Sequence, residues 1–177
     1  MENQNWLQKI EEEHQLAEIC KTNEYTEKFG LRLCEEDSKR LVAKNREVLQ
    51  RENRWEFGET VQKKLIYAFC DSNYVAQDNY VDTIERLTEM FFLYKNEMQD
   101  EITDDELIAF MREQFDEVCN GDLDYMESTC LDIFAQAIRA GYRGYEESGG
   151  YGEYEQFDLL PRWSREEYLA ALNELCQ

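Results

Sequence analysis

Only one of the chain's 177 residues is proline, Pro161, and this sets the first limit on its fold. Proline lacks a backbone N–H and its ring collides with the preceding helical turn, so its near-absence leaves helix open almost everywhere. The apolar residues then favour helix. They recur three and four positions apart, the spacing that lines one face of a helix. "WLQKIEEEHQLAEIC" carries Trp6, Leu7, Ile10, Leu16 and Ile19. "DNYVDTIERLTEMFFLYKNEM" carries Tyr80, Ile84, Leu87, Met90, Phe91 and Tyr94, with Asp78–Asn79 offering an N-cap oxygen. "TDDELIAFMREQFDEV" opens with a capping box, Thr103 to Glu106, in which hydroxyl and carboxylate each satisfy a free helix-end N–H. Only Phe29 to Leu33 reads as extended. The spacing predicts an all-α bundle of six or seven helices, the last being "SREEYLAALNELC".

This reads as a single acidic helical domain over residues 1–177, with residues 1–30 as an N-terminal helical appendage. Residues 141–162 break the pattern. The stretch "AGYRGYEESGGYGEYEQFDLLPRW" holds five of the eight glycines and four of the eleven tyrosines, Tyr142, Tyr145, Tyr151 and Tyr154. Glycine at that density costs too much backbone entropy for helix, so a long loop before the last helix is expected. Its tyrosines either anchor the loop or meet a partner.

The stretch "EFGETVQKKLIYAFCDSNYVAQDNYVDTIERLTEMFFLYKNEMQDEITDDELIAFMREQFD" resembles an uncharacterised family of bacterial proteins of unknown function. The likeness runs from Phe29 to about Ala140. It implies a helical fold and a bacterial origin, and it carries over no catalytic residue.

Charge narrows the function. There are 19 Lys and Arg against 40 Asp and Glu, a net of −21. Such a field repels nucleic-acid phosphates and anionic membranes, and it favours cations and basic protein surfaces. Between Asn96 and Glu127 stand twelve acids and one base, Arg112. Asp100, Glu101, Asp104, Asp105, Glu106 and Glu113 form the expected docking face. The plain alternative is a solvated face that aids solubility.

"DEVCNGDLDYME", Asp116 to Glu127, has the length of a calcium-binding EF-hand loop and its glycine at the sixth position. Asp116, Asn120, Asp122, Asp124 and Glu127 are the candidate metal ligands. Val118 occupies the third ligand position and supplies no oxygen. The simpler reading is a helix ending at a left-handed Asn120–Gly121, with Asp122 or Asp124 capping the next helix.

The six cysteines include no C-x-x-C pair, and His14 is the only histidine. Glu11 and His14 make one E-x-x-H where a di-iron bundle needs two, so they read as an exposed helix face. No serine has a recognisable elbow or a second histidine base. The N-terminus lacks the basic and apolar regions of a secretory signal, so a cytoplasmic protein with reduced thiols is expected. Cys70 and most other cysteines read as small core hydrophobes. The leading function is a non-enzymatic acidic adaptor or inhibitor that docks on a basic protein surface, without direct nucleic-acid or membrane contact and without a cofactor. The alternatives are a calcium-binding protein and an enzyme of unrecognised carboxylate chemistry.

Overall fold

The computed structural model describes residues 2–141, with side chains from Trp6 onward. The Gly/Tyr-rich stretch from Tyr142, with Tyr145, Tyr151 and Tyr154, and the expected last helix lie outside the described residues. Among the described residues the protein is all-α and contains no strand. Helices α1 (Glu2–Lys21) and α2 (Asn23–Thr26) run into a 3-10 turn, Glu27–Phe29. Next come α3 (Glu35–Arg51), α4 (Val61–Phe69) and α5 (Tyr80–Glu97). Helix α6 (Asp104–Glu113) widens into a π turn, Gln114–Val118. Helix α7 (Leu123–Tyr125) continues through a second π turn, Met126–Leu131, into α8 (Asp132–Arg139). Two compact units divide the chain, Met1–Phe92 and Leu93–Gln177, with the boundary inside α5.

In the first unit the core is built from α3, α4 and the predicted face of α5. Leu41 and Val48 of α3, Leu65, Ile66 and Phe69 of α4, and Tyr80, Ile84 and Leu87 of α5 are essentially inaccessible. Helix α1 lies along α3 and is tied to it by the Glu12–Arg46 ion pair. Glu18 reaches α4, where its carboxylate meets the Lys63 amine at 2.7 Å. That hydrogen bond holds Glu18 below the usual carboxylate range and raises Lys63. The face predicted for α1 reaches the core only at its C-terminal end, where Ile19 is buried; Trp6, Leu7 and Ile10 are exposed.

The extended segment expected at Phe29 to Leu33 starts two residues later, at Leu31. Gly30, at φ 78°, ends the 3-10 turn in the left-handed region that glycine tolerates. Leu31 and Leu33 are then buried. An extended segment without a sheet must find other partners for its backbone. Here the Leu31 carbonyl accepts from Thr26 Oγ1 at 2.9 Å. The Arg32 N–H donates to Gln77 Oε1 at 2.7 Å, and its carbonyl accepts from Gln77 Nε2 at 2.8 Å. Asn23 repeats the arrangement on Leu33, with both bonds at 2.8 Å. Two side-chain amides thus take the place of a neighbouring strand.

Caps set the helix starts. Thr103 and Glu106 form the predicted capping box. Cys34 caps α3 through its sulfur, accepting from the Asp37 N–H at 3.3 Å while Asp37 takes the Cys34 N–H. Asn79 precedes α5 as expected, and its side chain ties the loop behind it, bonding the Ala76 N–H and the Tyr74 carbonyl.

The second unit is built on α6 and α8. Leu107, Phe110 and Met111 of α6 and Ile133, Phe134 and Ile138 of α8 are buried. Phe110 and Phe134 stack with ring centroids 3.8 Å apart. Deleting a buried aromatic ring removes transfer energy and leaves a cavity. Phe134→Ala is therefore expected to lower unfolding free energy by about 3–5 kcal/mol. Asn23→Ala strands the Leu33 backbone pair and is expected to cost about 1–3 kcal/mol. Urea titrations followed by circular dichroism give both values, and equal costs at the two sites would contradict this assignment.

Candidate functional site

The acidic face of the second unit is organised around one buried cation. Lys95, 7% exposed, sits in the last turn of α5, and its amine donates to the Ile102 carbonyl. The same amine meets Asp104 at 2.9 Å and Asp100 at 4.0 Å. The chain reverses there through Gln99 and Asp100, at φ 54° and 59°. Two consecutive non-glycine residues in that region are strained, and they persist where the surroundings hold them. The Asp100 N–H to Lys95 carbonyl bond, 3.2 Å, and the Lys95 amine do so.

Three of the six acids predicted to form a docking face therefore have structural work. Asp100 and Asp104 serve Lys95, and Glu106 accepts from the Thr103 N–H at 2.7 Å and its hydroxyl at 2.8 Å. Glu101 and Asp105 are exposed, and Glu113 is half-buried. Residues 93–141 hold thirteen acids and three bases. All three bases are met by acids of the same unit: Lys95 as above, Arg112 by Asp116 at 2.5 Å, and Arg139 by Glu97 at 3.1 Å.

The five calcium-loop candidates take separate local roles. The Asp116 carboxylate pairs with Arg112. Asn120 and Gly121 adopt left-handed φ values of 51° and 82°, ending the helix. The Gly121 N–H closes that end on the Phe115 carbonyl at 2.8 Å. Asp122 caps α7, its carboxylate accepting from the Tyr125 N–H at 2.9 Å. Asp124 is exposed, and its carbonyl accepts from Ser128 Oγ at 2.7 Å. The Glu127 carbonyl accepts from the Tyr94 hydroxyl at 2.6 Å. Among the described residues no three His, Cys, Asp or Glu side chains group as a metal-binding set.

Behind this turn two thiols meet. Cys119 Sγ and Cys130 Sγ are 3.6 Å apart, and both are buried. The shared hydrogen bond raises Cys119 and lowers Cys130 relative to an ordinary thiol. Of the other described cysteines, Cys70 is buried and donates to the Tyr67 carbonyl, Cys20 is half-buried, and Cys34 is exposed.

Sequence reasoning missed a surface on the first unit. Trp55 and Phe57 are 84% and 92% exposed, the most exposed large apolar side chains described. They flank Glu56, which holds the α3–α4 connection from inside. Its carboxylate accepts from Asn45 Nδ2 at 2.8 Å and from the Val61 N–H at 2.7 Å. The Arg54 N–H adds a bond to the Leu49 carbonyl at 2.8 Å. The signal was present in "RWEFG", an alternation of apolar and polar residues with no sheet among the described residues to receive it.

Fold, caps and charge together define an acidic all-α protein. Residues 18–144 match the model of a family of unknown function, DUF6323, and the chain belongs to that family. No curated protein and no solved structure matches it.

Two measurements test this geometry. Asp122→Ala is expected to cost about 0.5–2 kcal/mol as a lost N-cap. The cost should be the same in chelator and in millimolar calcium; a penalty seen only with calcium would establish an ion in the loop. Burial pushes the Tyr94 phenol up to about 12. The folded state thus holds that proton more tightly than the unfolded chain, whose tyrosines ionise near about 10. This contribution is intact below about pH 10 and is lost as pH rises through about 12. Tyr94→Phe should flatten that alkaline decline in urea-unfolding free energy, and an unchanged slope would contradict it.

Proposed function

We propose that this protein is a non-enzymatic interaction module that docks on a basic surface of another protein, as an adaptor or an inhibitor. One observation carries the reading. The three cations of residues 93–141 are all engaged by the unit's own acids, and ten further acids remain in formal excess. A single-sign field of that density exceeds what solubility requires, and it steers oppositely charged partners. Exposed Trp55 and Phe57 on the first unit support the same class of function, because tryptophan is enriched among the residues that dominate binding energy. A basic groove that handles nucleic acid is the partner surface such a field fits best. The setting proposed is the cytoplasm. No described helix is long and apolar enough to cross a membrane.

The test uses exposed charges away from Lys95 and the caps. Asp100, Asp104, Glu106 and Asp122 are unsuitable because each serves Lys95 or a cap. Glu101 and Glu117 are exposed and lie outside both cap sites. Glu101→Lys with Glu117→Lys should leave stability within about 0.5 kcal/mol per site. Association with the partner captured from native lysate at low salt should slow by about tenfold, and its salt dependence should flatten. An unchanged association rate and salt slope would reject the acidic face as the docking surface.

A further inference from the structure

We propose that Cys119 and Cys130 form a modification site, a buried dithiol that a hydroperoxide oxidises to an intramolecular disulfide. The inference goes beyond the docking reading and does not depend on it. Its basis is geometric. The sulfurs are 3.6 Å apart in hydrogen-bonding contact, and a disulfide needs about 2.05 Å, so closure is a local movement. Each sulfur also sits at a π turn. Cys119 follows Gln114–Val118, and its N–H bonds the Gln114 carbonyl five residues back at 2.8 Å. Cys130 lies within Met126–Leu131. A π turn widens the helix by one residue, is rare, and occurs disproportionately at functional sites. Two flank one left-handed turn here, Asn120–Gly121; the first ends at Cys119 and the second contains Cys130. Cys70 provides the contrast: it is equally buried, but its thiol spends its hydrogen bond on a backbone carbonyl.

The contact also sets the chemistry. Either sulfur can donate in this contact, and the thiolate formed on one of them is the attacking sulfur. That thiolate attacks the peroxide O–O bond and becomes a sulfenic acid. The departing oxygen takes a proton and leaves as an alcohol, or as water when the oxidant is hydrogen peroxide. The second sulfur then attacks the sulfenic sulfur. The S–O bond breaks, and the hydroxyl leaves as water with the second thiol proton. Two thiols are oxidised to one disulfide and one hydroperoxide is reduced. Access runs through the turn itself, where Asn120 and Asp122 are exposed and Cys119 retains 6% exposure. Opening of such a short, solvent-facing segment needs only local unfolding.

Arg112 and Arg139 flank both cysteines with no Lys or Arg between, so one tryptic peptide, residues 113–139, carries the pair. The full-length reduced protein is treated with hydrogen peroxide, unfolded, alkylated and digested. The expected result is a peptide lighter by two hydrogens, unalkylated at both cysteines, and returned to double alkylation by dithiothreitol. Cys70 should stay alkylatable under the same treatment. In Cys119→Ser and in Cys130→Ser the two-hydrogen loss should vanish. The wild-type digest decides alone if either variant fails to fold. Double alkylation of this peptide at peroxide levels that fully oxidise exposed Cys34 would overturn the proposal, as would sulfinic acid at one site without the bridge.

Discussion

Connections between helices, more than the helices themselves, impose the controlling constraint on this structure. A helix satisfies its own backbone, whereas a connection that enters the core must find partners elsewhere, and an unpaired buried group costs about 1–3 kcal/mol. With no sheet among the described residues, the partners are side chains. Asn23 and Gln77 pair with both backbone groups of Leu33 and Arg32. Glu56 takes the Val61 N–H at the start of α4. Lys95 donates to the Ile102 carbonyl ahead of α6. Polar residues that composition alone would assign to the surface therefore do structural work, and a charge count overstates the acids free for function.

How legible this was depends on sequence separation. Signals within one turn could be read. Thr103–Glu106 is the predicted box, and Asn120–Gly121 with Asp122 is the predicted helix end and cap. Helix faces were legible because burial repeats with the helical period, as Leu107, Phe110 and Met111 show. Gln77 on Arg32 spans forty-five residues and Glu56 on Asn45 eleven, and no local pattern announces such a pair. Cys34 was hidden for a chemical reason, since sulfur is a weak acceptor and ranks low as a cap. Lys95 was hidden because it lies just outside the acidic run it organises, one residue before Asn96.

The same bookkeeping bears on the competing functions. A calcium loop needs carboxylates and carbonyls turned toward one point. Here Asp116 faces Arg112, Asp122 faces the Tyr125 N–H, and the Glu127 carbonyl faces Tyr94. Of these groups, the Asp116 carboxylate would have to leave Arg112 to reach an ion. His14, the chain's one histidine, is exposed on α1, and Glu11 beside it is exposed too, as a solvated helix face requires. Docking asks for none of these rearrangements.

The turn at Asn120–Gly121 joins the two surfaces of the second unit. On its outer side stand Asp122 and Asp124, exposed. On its inner side stand Cys119 and Cys130, buried. One backbone register sets both, because the Asp122 N–H bonds the Cys119 carbonyl at 3.0 Å, and Asp122 in turn caps the helix that leads to Cys130. Interiors packed at crystal-like density transmit small shifts instead of absorbing them. A sulfur–sulfur bond at 119 and 130 would therefore fix the cap and the acids around it in one arrangement. A loosened cap would in turn separate the sulfurs. The resemblance of this segment to an ion-binding loop comes from its outward residues, and its strongest structural coupling comes from the inward ones.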